Sequence, residues 1–248
     1  MEKVLPIVLT IGIFIVGILS IPLGSVPIPL EYIFTPEKAP EYMKIIIFNL
    51  RLPRIVIAVL IGMMLSSSGA VVQTVFQNPL ADPYIIGIAA SATFGAVIAF
   101  VFGMPDFMYG VIAFVTCLTS TLLIFKMAKK GNKVNVATLL IVGIAVSSFL
   151  GAFTSFAMYL IGEDSFKITM WMMGYLGNAT WKRVVFILIP LIFSVGYFFS
   201  KRNQLDALLS GDEEAHSLGV DVNRLKVKIL TVSALIVAFS VAFSNIFK

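Results

Sequence analysis

Charge is what this chain has little of. Of its 248 residues only 12% are Asp, Glu, Lys or Arg, while 59% are hydrophobic. A soluble domain carries about twice that charged share and is nearer half apolar. Apolar residues in such surplus have no aqueous surface to lie beneath, so lipid must face them, and the chain reads as an integral membrane protein. Cysteine and histidine are nearly absent too. Cys117, the only cysteine, lies in an apolar run; it excludes an intrachain disulfide and reads as a small buried hydrophobe. His216, the only histidine, has no second His or Cys with which to build a familiar zinc site. No phosphate loop of the form GxxxxGK followed by Ser or Thr occurs, nor HExxH, nor a paired aspartate motif, nor a nucleophile elbow. Nucleotide hydrolysis by that loop is excluded, and neither a cofactor nor a metal is expected. The net charge of +5 is no nucleic-acid footprint, because the basic residues sit at the ends of apolar runs, where they anchor and orient a membrane protein.

What the chain has instead is long uncharged runs. A helical crossing takes about 20 apolar residues. Seven stretches qualify: residues 4–23, 55–77, 84–102, 107–125, 134–161, 184–200 and 229–247. The expected fold is all-α, a polytopic bundle of about seven transmembrane helices forming one domain over residues 1–248. The first run could instead be a secretory leader, although it exceeds the usual apolar core of about 7–15 residues and only Lys3 precedes it as a basic residue.

The run ends are punctuated. Pro53 suits the first turn of the second run, where a missing N–H costs nothing. Asp82 reads as the N-cap of the third run with Pro83 at its first position, placing a negative charge at the helix's positive end. Asn78, Pro79, Asp82 and Pro83 therefore form a tight turn, and the second and third runs a hairpin. Lys126, Lys129, Lys130 and Lys133 share a loop without an acid, which predicts that this loop and the N-terminus are cytoplasmic.

Small residues recur every fourth position in three runs: Gly62, Ser66 and Ala70; Gly87, Ser91, Gly95 and Ala99; Gly143, Ser147, Gly151 and Ser155. Such stripes let helices approach closely in lipid. The run 134–161 exceeds one bilayer thickness, so it must tilt, kink or project. Its Ser147, Ser148, Thr154 and Ser155 could line a pathway. Residues 163–181 hold Phe166, Trp171, Tyr175 and Trp181, which predicts a short interfacial helix on the outer face. Residues 201–228 are the longest inside segment. Ser210 and Glu213 have the spacing of a capping box, which predicts a helix over 211–218 stopped by Gly219. Asp221 would cap the next helix. So polar a helix–glycine–helix segment reads as a partner-binding surface.

None of the seven runs contains Asp, Glu, Lys, Arg or His. Ion-coupled transporters generally need ionisable groups within the membrane, and voltage sensors need arginine-bearing spans. An uncharged bundle with structured loops on both faces reads as a conduit whose energy comes from another subunit. A secondary transporter or passive channel is the competing reading.

Two segments together resemble a known family. Arg51-Leu52-Pro53-Arg54, then Gly62, Ser68-Gly69-Ala70, Gln73, Asn78-Pro79-Leu80-Ala81-Asp82-Pro83 and Gly87 form the first. Gly211-Asp212-Glu213-Glu214-Ala215-His216-Ser217-Leu218-Gly219-Val220 is the second, and Met173-Gly174 before Trp181 agrees. They resemble the FecCD-type permease subunits of ABC importers for iron-siderophore complexes, haem and cobalamin. The resemblance implies a ten-helix fold acting as a homodimer in the cell membrane. It also implies an ATPase subunit on the inside, an extracytoplasmic substrate-binding protein on the outside, and no catalytic residue in this chain. Arg51 and Arg54 would meet carboxylates of the binding protein, a role suited to a permanently charged, two-pronged donor. Gly211, Asp212, Glu213, Ala215, Leu218 and Gly219 would form the ATPase-coupling segment within 201–228. Gly143, Ser147, Gly151, Thr154 and Ser155 would line the translocation path. Family members continue past the seventh run into a glycine-rich turn ending in Pro-His and three further helices. This sequence stops at Phe243-Ser244-Asn245-Ile246-Phe247-Lys248, so a truncated permease, or a non-functional remnant of one, is a further expectation.

Overall fold

The computed structural model describes residues 4–130, 133–174 and 176–244. Tyr175, Lys3 and the last residues of the run 229–247 lie outside them. In chain order the helices are α1 (Val4–Ser20), α2 (Glu31–Phe34), α3 (Glu41–Ile45), α4 (Leu52–Phe76), α5 (Ile88–Val101) and α6 (Asp106–Ala128). There follow α7 (Val136–Ile161), α8 (Ser165–Met172), α9 (Trp181–Ser200), α10 (Arg202–Leu209), α11 (Asp212–Ser217) and α12 (Val222–Ser244). A π-helical turn over Ile46–Arg51 joins α3 to α4. Two-residue strands β1 (Lys129–Lys130) and β2 (Lys133–Val134) pair antiparallel, Lys129 opposite Val134, and bring α6 round to α7.

Five apolar helical stretches are long enough to cross a membrane: Glu41–Phe76, Asp106–Ala128, Val136–Met172, Trp181–Ser200 and Val222–Phe243. Val4–Ser20 and Ile88–Val101 are apolar but shorter. The third expected run begins later than its sequence suggests. Asp82 does cap, its Oδ1 accepting from the Tyr84 N–H at 2.6 Å, but what it caps is a 3-10 turn over Pro83–Ile86. Gly87 then takes φ +77, and α5 starts only at Ile88. At 1.5 Å per residue α5 spans about 21 Å, short of the hydrocarbon thickness of about 30 Å. Packing explains the break: a side chain at Gly87 would meet Ser147 Oγ at 3.0 Å and the Gly143 carbonyl at 3.5 Å.

The hairpin turn forms as its residues dictate. Gln77 ends α4 in the left-handed region at φ +49. Asn78 Oδ1 accepts from the Leu80 N–H at 2.9 Å, and the Ala81 N–H donates to the Asn78 carbonyl at 3.0 Å, with Pro79 between. Asparagine first and proline second is the order a β-turn favours.

α12 is the centre of the bundle, packed against α4, α5, α6 and α9. The Ser68 and Ser233 hydroxyls hydrogen-bond across the α4–α12 seam. α5 and α6 meet where Gly95 lies against Ala113; an added Cβ at Gly95 would stand 2.8 Å from Ala113 Cα. Thr116 Oγ1 donates to the Ser91 carbonyl at 2.8 Å, and Cys117 Sγ to the Ile88 carbonyl at 3.2 Å. The α5 stripe is therefore spent on close helix packing. The α4 stripe is not: Gly62, Ser66 and Ala70 are exposed. α1 buries none of its residues.

Candidate functional site

The predicted site residues gather at two opposite ends of the bundle. The arginine end holds the starts of α4, α6 and α9 and the segment around α8. There the Trp181 indole N–H donates to the Phe48 carbonyl at 2.9 Å, and Lys167 pairs with Asp106 at 2.7 Å. The lysine end holds the 78–83 turn, the β1–β2 ladder and α10–α11. Gln77 Nε2 donates to the Leu208 carbonyl at 2.8 Å and ties the turn to α10.

At the arginine end the two arginines are used differently. Arg51 folds back over the end of α1, donating to the Ile21 carbonyl and, at 2.5 Å, to the Val26 carbonyl. Both carbonyls lie past the last residue of α1, so the guanidinium ties down the segment that leaves that helix. Gly24 makes the room, since a Cβ there would stand 2.7 Å from Arg51 Nη2. Arg54 is exposed and donates from Nε to the Leu176 carbonyl at 3.2 Å and from Nη2 to the Gly177 carbonyl at 3.3 Å. A cavity of about 450 Å³ lies nearby, lined by Ala58, Leu65, Tyr84, Thr93, Trp171 and Ser240 among others.

At the lysine end α11 does not begin with a capping box. Ser210 closes α10 in helical conformation, and Gly211, at φ +131, precedes α11 with no side-chain cap. The chain needs the extended, left-handed-side backbone that glycine permits between two helices, so the serine falls one position early. The stop is as expected: Gly219, at φ +82, donates its N–H to the His216 carbonyl at 2.9 Å, and the Val220 N–H donates to the Ala215 carbonyl at 3.0 Å. Asp221 caps α12, its Oδ1 accepting from the Arg224 N–H at 3.1 Å. Ala215 is fully buried among Leu205, Leu208 and Leu225, whereas Leu218 is 71% exposed and Glu213 faces outward. Asp212 turns back to Lys226, Oδ2 to Nζ 2.6 Å. A cleft of about 760 Å³ separates α11 from the first turn of α7, with Asn135, Ala137, Asp212, Glu213, His216 and Lys226 on its walls.

The pathway residues on α7 do not share one face. Gly143 and Thr154 are buried, Ser147 and Gly151 half-buried, and Ser155 exposed. A four-residue spacing advances about 40° per step on a 3.6-residue helix, so the stripe winds from the packed side to the open side. Thr154 Oγ1 is buried without a hydrogen bond. Sequence reasoning missed α10 and the Asp212–Lys226 pair; fourteen positions apart across a glycine turn, the pair leaves no periodic signal. Among the described residues no group of three or more His, Cys, Asp and Glu gathers to hold a metal.

A helical bundle with five membrane-length apolar helical stretches and polar segments at both ends defines the class of multi-pass helical membrane proteins. The chain belongs to the FecCD transport family, whose profile matches residues 12–247. It is 36% identical over 209 residues to the cobalamin import system permease protein BtuC of Halobacterium salinarum, covering 83% of this chain and 56% of that protein. It is 34% identical over 205 residues to the hemin transport system permease protein HmuU of Yersinia pestis, covering 80% and 61%. A solved chain described as a metal-chelate type ABC transporter in an inward-facing conformation superposes with a TM-score of 0.82 at 27% identity, covering 98% of this chain and 76% of that one. The chain thus spans less than two thirds of the length of these two curated relatives.

Proposed function

We propose that this chain is the transmembrane permease subunit of an ATP-driven ABC importer for a metal chelate of the iron-siderophore, haem or cobalamin type. One observation carries the reading: the two motifs that resemble the family's partner-facing segments stand at opposite ends of a bundle whose charged side chains keep to the helix ends, the seven apolar runs holding none. The lysine end is cytoplasmic, the N-terminus with it, and α11 meets the ATPase through Glu213 and Leu218. The arginine end faces out, and Arg54 receives a carboxylate of the binding protein while Arg51 fixes the loop beside it. Two copies pair, with the open side of α7, which carries Ser155, facing the translocation path. Weakly polar, uncharged walls suit a bulky chelate that must pass without sticking. Since the chain holds no nucleotide loop, energy enters as a change in contacts at α11 that favours one of two arrangements of the bundle.

The test is co-purification of the tagged chain from membranes with an ATPase and a binding protein of the same importer. Both should be retained. Glu213→Lys should release the ATPase alone and Arg54→Glu the binding protein alone. A chain that retains neither, or loses both with either substitution, overturns the reading.

A further inference from the structure

We propose that Lys226 is the positioning residue of the coupling segment: paired with Asp212, it fastens α11 to α12 so that the two helices move as one body. The proposal rests on the reading of residues 201–228 as the ATPase-facing segment. α11 has six residues, far too few to hold a helix alone. Glycine joints flank it, Gly211 at φ +131 and Gly219 at φ +82. Its buried side chain is Ala215, a single methyl group in the pocket formed with Leu205, Leu208 and Leu225. Leu218, which could have anchored it, points away from the bundle.

An ion pair adds a tie to α12. The Lys226 side chain is only 11% exposed, and its Nζ lies 2.6 Å from Asp212 Oδ2. Lysine is seldom so buried without a partner, and removing the carboxylate leaves the cation without its counter-charge. Asp221, the other acid at the start of α12, is engaged by Arg224 at 3.0 Å. Lys226 stands on α12, which packs against four other spans, so a displacement of α11 reaches the bundle centre through this pair. The predicted coupling residues therefore divide. Asp212 and Ala215 hold the helix, and Glu213 and Leu218 meet the partner.

Two measurements on the full chain in lipid nanodiscs test this. A spin label on Ser217→Cys reports α11 mobility; Cys117 is buried and does not compete for it. Binding of the importer's ATPase subunit is measured on the same preparation. Lys226→Met should mobilise the label and weaken ATPase binding about tenfold, the effect of losing a half-buried ion pair that organises a contact. Lys226→Arg should keep both within about threefold of the parent, because the charge and reach persist. A label left immobile by Lys226→Met overturns the clasp. A mobilised label with unchanged ATPase binding overturns its role in coupling. A parent chain with an ordered α11 that binds no ATPase overturns the coupling reading itself, and this role for Lys226 with it.

Discussion

The two ends of this bundle use charge in opposite ways. At the arginine end a cation is turned onto the chain's own backbone: Arg51 holds the Ile21 and Val26 carbonyls. At the lysine end Asp212 is clasped by Lys226 while Glu213 and His216 stay exposed on a short helix. Guanidinium groups can donate to backbone carbonyls that irregular chain leaves unpaired. Carboxylates cannot, so α11 either pairs its acids with a lysine or presents them to solvent. One end therefore turns its cation onto the backbone, while the other ties one acid to a lysine and leaves Glu213 and His216 exposed.

Substitutions at four places would break or sharpen that contrast. The largest effect should come from between the ends. Gly95→Leu drives a side chain into the Ala113 backbone at the α5–α6 seam and should cost about 3 kcal/mol or more, seen as loss of monodisperse protein in detergent. Both ends should fail together; retained binding at either end would show that the seam does not hold them in common. Next, Arg51→Ala should lower stability by about 2 kcal/mol through the lost charged hydrogen bonds, measured by chemical unfolding. Arg51→Lys should restore only part of it, because one ammonium cannot fork to both carbonyls. An unchanged unfolding midpoint for Arg51→Ala would remove the arginine end from the comparison. Third, Ser68→Ala should cost about 1 kcal/mol, and adding Ser233→Ala should cost less than a second equal step, since the pair shares one bond. Smallest in stability, Leu218→Ala should leave unfolding within about 0.5 kcal/mol of the parent while reducing ATPase retention. A large stability loss there would mean that Leu218 is structural and that the lysine end does not keep its exposed side chains for a partner.

Much of the local structure was legible. Residue type and position mark Asp82 and Asp221 as caps, and both accept the backbone N–H bonds expected of caps. The 78–83 turn followed from asparagine and proline order. Where reading failed, a third element had intervened. Ser210 and Glu213 have capping-box spacing, yet α10 claims Ser210 as its own end. The third run is long enough by composition, yet Gly87 breaks it to lie against α7. The α7 stripe looks continuous in sequence but winds around the helix.

By itself the sequence determined the membrane class, the order of the apolar runs, the turn chemistry and the family motifs, because each depends on residues near one another along the chain. Only the tertiary structure decided which stripe is spent on packing and which stays open, that Arg51 serves its own backbone, and that Lys226 holds Asp212. Those outcomes depend on which groups meet across helices. A buried cation finds its carboxylate through three-dimensional proximity, to which a separation of fourteen residues gives no guide.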